Sequence, residues 1–150
     1  MADPVDPATR SLVMARVKRS DTAPELTVRR FLHSHGLRFR LHVRQLPGTP
    51  DIVLARWRAA IQVYGCFWHA HEGCRYFVVP KTRTAFWEAK LIGNRQRDRR
   101  TELALLSSGW RLAIVWECAL RIEAEASLHR LAGWIQNPDS TRLELDGGCR

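Results

Sequence analysis

Long apolar runs are missing from this chain. No stretch of its 150 residues approaches the roughly 20 apolar residues that a bilayer span needs. No basic segment with an apolar run opens it, so neither a signal peptide nor a membrane partner is expected. Internal repeats, low-complexity tracts and linkers are also lacking, which leaves one domain, large enough for a real core. Cysteine is sparse, at four residues. In a reducing cytoplasm, the compartment expected here, such cysteines read as metal ligands more readily than as disulfides. Acidic residues are in short supply: 15 Asp and Glu face 24 Lys and Arg, a net charge of +9. The arginines are spread through the folded part rather than gathered in a tail. They imply a binding surface for a polyanion, above all nucleic acid.

What is present is concentrated in Gly65-Cys66-Phe67-Trp68-His69-Ala70-His71-Glu72-Gly73-Cys74. The spacing Cys66-x4-His71-x2-Cys74, closed at a distance by Cys118, offers three sulfurs and one nitrogen. That is the donor set of a closed tetrahedral zinc site, and the remote ligand lets it staple a loop to a distant element. His69 and His71 are two apart, so an extended backbone turns them to opposite sides and only one faces the metal. The competing interpretation is a pair of surface histidines beside buried free thiols. Cys149 lies in a polar stretch and reads as a spare thiol.

Along the chain, residues 8–18 form a short helix with Leu12, Val13, Met14 and Val17 on its apolar side. A second helix starts at Asp21-Thr22 and ends at Gly36, with Leu26, Phe31 and Leu32 inward. Residues 37–43 alternate, with Arg38, Arg40 and His42 on the outer face, as a half-buried strand does. After the Pro47-Gly48 turn come short strands at 52–54 and 59–63, joined as a hairpin at Arg56-Trp57-Arg58. A long helix spans about 84–106 and a central strand 110–116, apolar at nearly every position. A last helix runs over about 120–135 and stops before Asn137-Pro138. The order α-α-β-β-β-α-β-α predicts an α/β fold, a small mixed sheet with helices on both faces. Residues 1–136, including an N-terminal helical arm at 1–20, make the domain; 137–150 read as a polar, flexible tail.

Several residues carry chemistry in principle. Pro50-Asp51 opens a strand, and a carboxylate there is placed to hold a divalent cation; a plain loop carboxylate is the alternative. Gln62-Val63-Tyr64 and then His69 follow a strand later. Thr22-x-x-Glu25 is a capping box, so Glu25 serves a metal only if its carboxylate turns from its own backbone. Asp98, within Arg95-x-Arg97-Asp98-Arg99-Arg100, reads first as part of a solvated helix face.

Taken together, Met1-Ala2-Asp3, Ala8-Thr9-Arg10-Ser11, Asp21-Thr22-Ala23, Leu46-Pro47-Gly48-x-Pro50-Asp51, Gly65-Cys66-Phe67-Trp68-His69, Thr82-Arg83-Thr84-x-Phe86-Trp87, Arg97-Asp98-Arg99-Arg100, Gly109-Trp110-Arg111 and 114–120 resemble the very-short-patch repair (Vsr) DNA mismatch endonucleases. The similarity covers roughly residues 1–135. It implies a zinc-stapled restriction-endonuclease-like fold that nicks one strand beside the T of a T:G mismatch, the product of 5-methylcytosine deamination. By this resemblance Asp51 is the principal magnesium ligand and the Val63 carbonyl a second. His69 is the general base, assisted by Asp98 and Glu25, and Cys66, His71, Cys74 and Cys118 hold zinc. Phe67, Trp68 and Trp87 are candidate wedges into a base stack, with Met14, Arg95 and Arg97 as further DNA contacts. The implied partners are double-stranded DNA carrying the mismatch and the mismatch-repair proteins. The implied setting is a monomer at the bacterial nucleoid.

Two positions depart from the family type, which has threonine and histidine where this chain has Val63 and Tyr64. A backbone carbonyl is indifferent to its side chain, but a phenol does not replace an imidazole as a base near neutral pH. The rival functions are a catalytically silent zinc module that binds nucleic acid, which Tyr64 favours, and a nickase of the same fold with another DNA target.

Overall fold

The structure is a computed structural model, and it describes residues 21–148. The expected helix at 8–18, with Met14, and the spare Cys149 lie outside the described residues. Helix α1, Ala23–Ser34, begins as its sequence predicts: the Thr22 hydroxyl accepts the Glu25 N–H at 3.4 Å. The Glu25 carboxylate completes the cap one residue further out, accepting the Asp21 N–H at 2.9 Å. Gly36, at φ +70°, ends the helix in a Schellman motif. Its N–H reaches the His33 carbonyl and that of Leu37 the Leu32 carbonyl, while Leu32 and Leu37 are both buried.

The strand expected over 37–43 shrinks to β1, Arg40–Leu41, with both residues exposed. The cause lies at His42, whose φ of +48° takes the chain out of extended geometry. Strand β2, Ile52–Leu54, a single 3-10 turn at Ala55–Trp57, and β3, Ala59–Tyr64, form the expected hairpin. Helix α2, Thr84–Ser107, crosses to β4, Arg111–Trp116, which runs parallel to β3. The single helix expected near 120–135 is two, α3 at Glu117–Ile122 and α4 at Ala124–Gln136, divided at Glu123. The polar stretch expected to be a tail contains a fifth strand, β5, Arg142–Leu145, parallel to β4 and sealed by Leu145.

The result is a mixed five-stranded sheet in the order β1-β2-β3-β4-β5. Its two central strands are buried on both faces, so period-2 alternation divides their side chains between two cores. Ile61, Val63, Ala113 and Val115 pack with α1 and α4 residues such as Val28, Leu32, Leu131 and Ile135. Ala60, Tyr64, Leu112, Ile114 and Trp116 pack with Leu105 and with Cys66, Cys74 and Cys118. Among the described residues, no helix is long and apolar enough to cross a membrane.

One buried charge ties these layers together. Arg111 is 7% exposed, and its guanidinium donates to the carbonyls of Trp57, Trp134, Ile135, Asn137 and Ser140 while lying 4.2 Å from the Trp134 ring centre. A cation at the C-terminal carbonyls of α4 also complements the helix dipole. Burial lowers its pKa, so the carbonyl set is what keeps the charge tolerable. Arg111→Met should therefore leave several carbonyls unpaired and lower unfolding free energy by at least about 3 kcal/mol. Urea unfolding measures this; an unchanged midpoint would show that the fork is dispensable.

Candidate active site and metal centre

The first site gathers where β2 begins and β3 ends. Gly48 brings the Pro47–Pro50 turn against α2: a Cβ there would fall 1.9 Å from the Thr101 methyl, and φ is +73°. That contact sets Asp51 at the mouth of β2. Its Oδ2 accepts the Val63 N–H at 2.8 Å, which leaves Oδ1 directed elsewhere. In a strand, the N–H and C=O of one residue share an edge, so the Val63 carbonyl faces the same edge as Asp51.

Glu25 is 2% exposed and its Oε2 is held by Arg29 at 3.0 Å, so the cap and the site share one carboxylate. Between Glu25 and Asp51 stands His42, which the sequence did not single out. Its Nε2 lies 3.9 Å from Glu25 Oε2 and 3.1 Å from an Arg29 nitrogen, and its Nδ1 lies 4.0 Å from Asp51 Oδ1. The left-handed backbone that cuts β1 short is what aims this ring inward. Burial pushes the Asp51 carboxyl up to about 6; the Val63 N–H opposes this, Glu25 adds to it, and His42 and His69 oppose it.

His69 is set by a turn rather than by the extended stretch expected for it. The His69 N–H bonds the Gly65 carbonyl, and Ala70 takes a φ of +50°. This reversal still separates the two histidines. His69 Nδ1 meets Asp98 Oδ2 at 2.6 Å, which removes Asp98 from the solvated face, and its ring stacks on Tyr64 at 4.0 Å and 7°. Tyr64 bonds Glu102, which Arg142 of β5 also contacts. Burial, with the charges of Asp98 and Glu102, pushes the Tyr64 hydroxyl far up, so it stays a phenol. Gln62 is buried within β3.

His71 turns the other way. One donor atom from each of Cys66, His71, Cys74 and Cys118 lies within 4.8 Å of every other, and all four residues are buried. A tetrahedral ion with bonds of about 2.0–2.3 Å needs its donors about 3.3–3.8 Å apart, a spacing that lies within that 4.8 Å limit. His71 Nδ1 is 3.6 Å from Cys118 Sγ, its ring stacks on Trp116, and its Nε2 lies 4.0 Å from Asp146. The Gly147 N–H adds a bond to Cys118 Sγ at 3.3 Å. Burial, more than the neighbouring Cys118 charge, pushes the Cys66 thiol up to about 12, so a bound ion would displace protons.

The aromatic candidates divide by exposure. Trp87 is buried beneath Phe67 and Trp68, 5.6 and 6.0 Å away, and supports them. Phe67 and Trp68 are half-buried; Phe86 is 44% exposed under the Arg83 guanidinium, and only its place in a motif hinted at it. Arg95, Arg97, Arg99 and Arg100 lie on exposed surface of α2, with Arg95 also paired to Glu72.

The model of the family "DNA mismatch endonuclease Vsr" matches residues 2–76. The chain is 47% identical over 139 residues to the DNA mismatch endonuclease Vsr of Escherichia coli, covering 90% of this chain and 88% of that protein. It is 50% identical over 120 residues to the type II nicking enzyme V.XorIIP of Xanthomonas oryzae pv. oryzae, covering 80% and 88%. A further nicking enzyme, V.NmeAIP of Neisseria meningitidis, is 37% identical over 139 residues, covering 91% and 99%. The chain belongs to the Vsr family. Its mixed sheet with flanking helices is accordingly the restriction-endonuclease-like fold that the resemblance implied.

The raised Asp51 pKa has a measurable sign. Because the folded pKa exceeds the ordinary 3.8, the protonated form is favoured in the fold, and stability is lost as pH rises from about 4 through about 6. Asp51→Asn removes that charge and keeps an acceptor for Val63. In magnesium-free buffer it should match the parent near pH 4 and be more stable by up to about 3 kcal/mol at pH 7. Equal stability at both pH values would mean that the carboxylate is not penalised.

Proposed function

We propose that this Vsr-family protein is a DNA nicking endonuclease that cuts on the 5′ side of the T in T:G mismatches, using magnesium and His69 as base. The observation that carries the reading is the gathering of Asp51, Glu25 and the His69–Asp98 pair where β2 begins and β3 ends, with Glu25 and His69 both close enough to act electrostatically on Asp51. Family membership supports DNA as the substrate. The donor set suits a hard divalent cation: a half-buried carboxylate, one oxygen of which makes no hydrogen bond among the described residues shorter than the 4.0 Å approach of His42, and a backbone carbonyl beside it. Magnesium held by Asp51 and Val63 would neutralise phosphate charge and lower the pKa of water.

This chain's residues do the rest. Asp98 on Nδ1 fixes the His69 tautomer, leaving Nε2 to take the proton of an attacking water. As the water oxygen bonds phosphorus, the P–O3′ bond breaks. The 3′ oxygen gains a proton from solvent and the 5′ phosphate stays on the mismatched strand. Glu25 holds water near Asp51, while Phe67 and Trp68 enter the base stack where a mismatch makes unstacking cheapest. The arginines of α2 grip phosphate without regard to sequence. Zinc at Cys66, His71, Cys74 and Cys118 would be purely structural, with no position left open for substrate.

The decisive experiment offers matched and T:G duplexes with and without magnesium. Nicking is expected only with the mismatch and the ion, leaving a 5′-phosphate. Asp51→Asn should abolish it without loss of binding, and His69→Ala should slow it about 10²–10⁴-fold. Tyr64, in place of an imidazole, favours a silent binding module; binding to T:G DNA with no cleavage would establish that rival.

For the metal centre, about one zinc per chain should co-purify. Chelation or Cys118→Ala should lower the melting temperature, because binding energy here is folding energy. A metal-free protein melting at the same temperature would remove the structural role.

A further inference from the structure

We infer that Tyr64 is a positioning residue for His69, a rigid plate that fixes the plane of the imidazole. The inference rests on the assignment of His69 as base. His69 stands on a turn, and one in-plane hydrogen bond, to Asp98, leaves its ring free to rock about that bond. The Tyr64 ring covers one face of it at 4.0 Å and only 7° from parallel. A plate is useful only if it is itself fixed. Tyr64 is the last residue of β3, 4% exposed, and meets Trp116 edge-on at 5.2 Å and 72°. Its hydroxyl donates to Glu102 at 3.3 Å, and Arg142 of β5 approaches Glu102 at 3.4 Å and Glu144 at 2.8 Å.

The two rings are braced from one helix. Asp98 and Glu102 are four apart on α2, so they lie on the same face one turn apart. The first holds the imidazole and the second holds the phenol stacked upon it. Small errors in the placement of a reacting group carry large rate penalties, so this brace acts on turnover rather than on affinity. The stack is the main term, because the hydroxyl bond is long; a phenyl ring at 64 keeps most of it.

The test measures single-turnover nicking and DNA affinity for Tyr64→Leu, Tyr64→Phe and His69→Ala, with NMR of the His69 ring protons in the unaltered protein. Tyr64→Leu should lower the single-turnover nicking rate about 10–100-fold with DNA affinity unchanged, and Tyr64→Phe should recover the rate to within about threefold. The ring protons of His69, assigned by their loss in the Ala variant, should be shifted upfield by the stacked phenol. Absence of that shift overturns the proposal even if Tyr64→Leu fails to fold. So does full activity in Tyr64→Leu, or equal damage in the Leu and Phe variants. If His69→Ala nicks at the parent rate, the base assignment itself falls, a distinct outcome from any of these.

Discussion

Both sites depend on the parallel pairing of β3 with β4. The register sets Tyr64 opposite Trp116, so the two strands end flush. Gly65-Cys66 and Glu117-Cys118 therefore leave the sheet side by side, and the Cys66 N–H reaches the Glu117 carboxylate at 3.3 Å. A cysteine two residues past each strand end thus meets its counterpart despite the long gap between them in sequence. Slipping this register by one residue would invert the faces of β3, sending Tyr64 away from His69 and separating the thiols. The crossover that parallel pairing requires is α2, and it passes close enough to supply Asp98.

Within the loop that leaves β3, one left-handed residue does the partitioning. Ala70 pays the modest strain of a positive φ, and the chain on either side is sent to different tasks: His69 toward the carboxylates, His71 onto Trp116 and the thiols. The hydrogen bond from the His71 N–H to the Cys66 carbonyl closes the turn. The four-donor cluster and the His69–Asp98 pair therefore share one short backbone segment.

What was legible in the sequence was local. The cysteine and histidine spacing, the apolar runs of β3 and β4, the Thr22 cap and the Pro47-Gly48 turn each state their role within a few residues. What was not legible is set by partners distant in the chain. Strand β5 carries only Leu143 and Leu145 between exposed polar residues, and its pairing with β4 exists only once the core has formed. No glycine or proline marks the break at Glu123 between α3 and α4. His42 alternates with Arg38 and Arg40 as any surface residue would; its backbone N–H bond to the Asp51 carbonyl, which brings it to the site, appears only in three dimensions. The same limit explains Asp98, whose flanking arginines describe solvent and conceal the one face that turns inward.

That inward face accounts for an oddity of α2. Apart from Trp87, Leu91 and Leu105, its 24 residues offer the core little, so it lacks the apolar stripe expected of a helix lying on a sheet. The stripe exists but is polar, because it borders a site. Continuing the three- and four-residue spacing from Leu91, Asn94 donates to the Trp68 carbonyl, Asp98 holds His69, Thr101 packs on Gly48 behind Asp51, and Glu102 takes the Tyr64 hydroxyl. One helix thereby aligns the Phe67-Trp68 loop, the His69 imidazole, the Pro47–Pro50 turn and the Tyr64 ring. Its ends are anchored by apolar burial while its middle is registered by hydrogen bonds. A rotation of a single residue, about 100°, would break every one of those contacts at once. The exposed surface is left to arginines, so the element that holds His69 and Tyr64 also carries charge suited to a phosphate backbone.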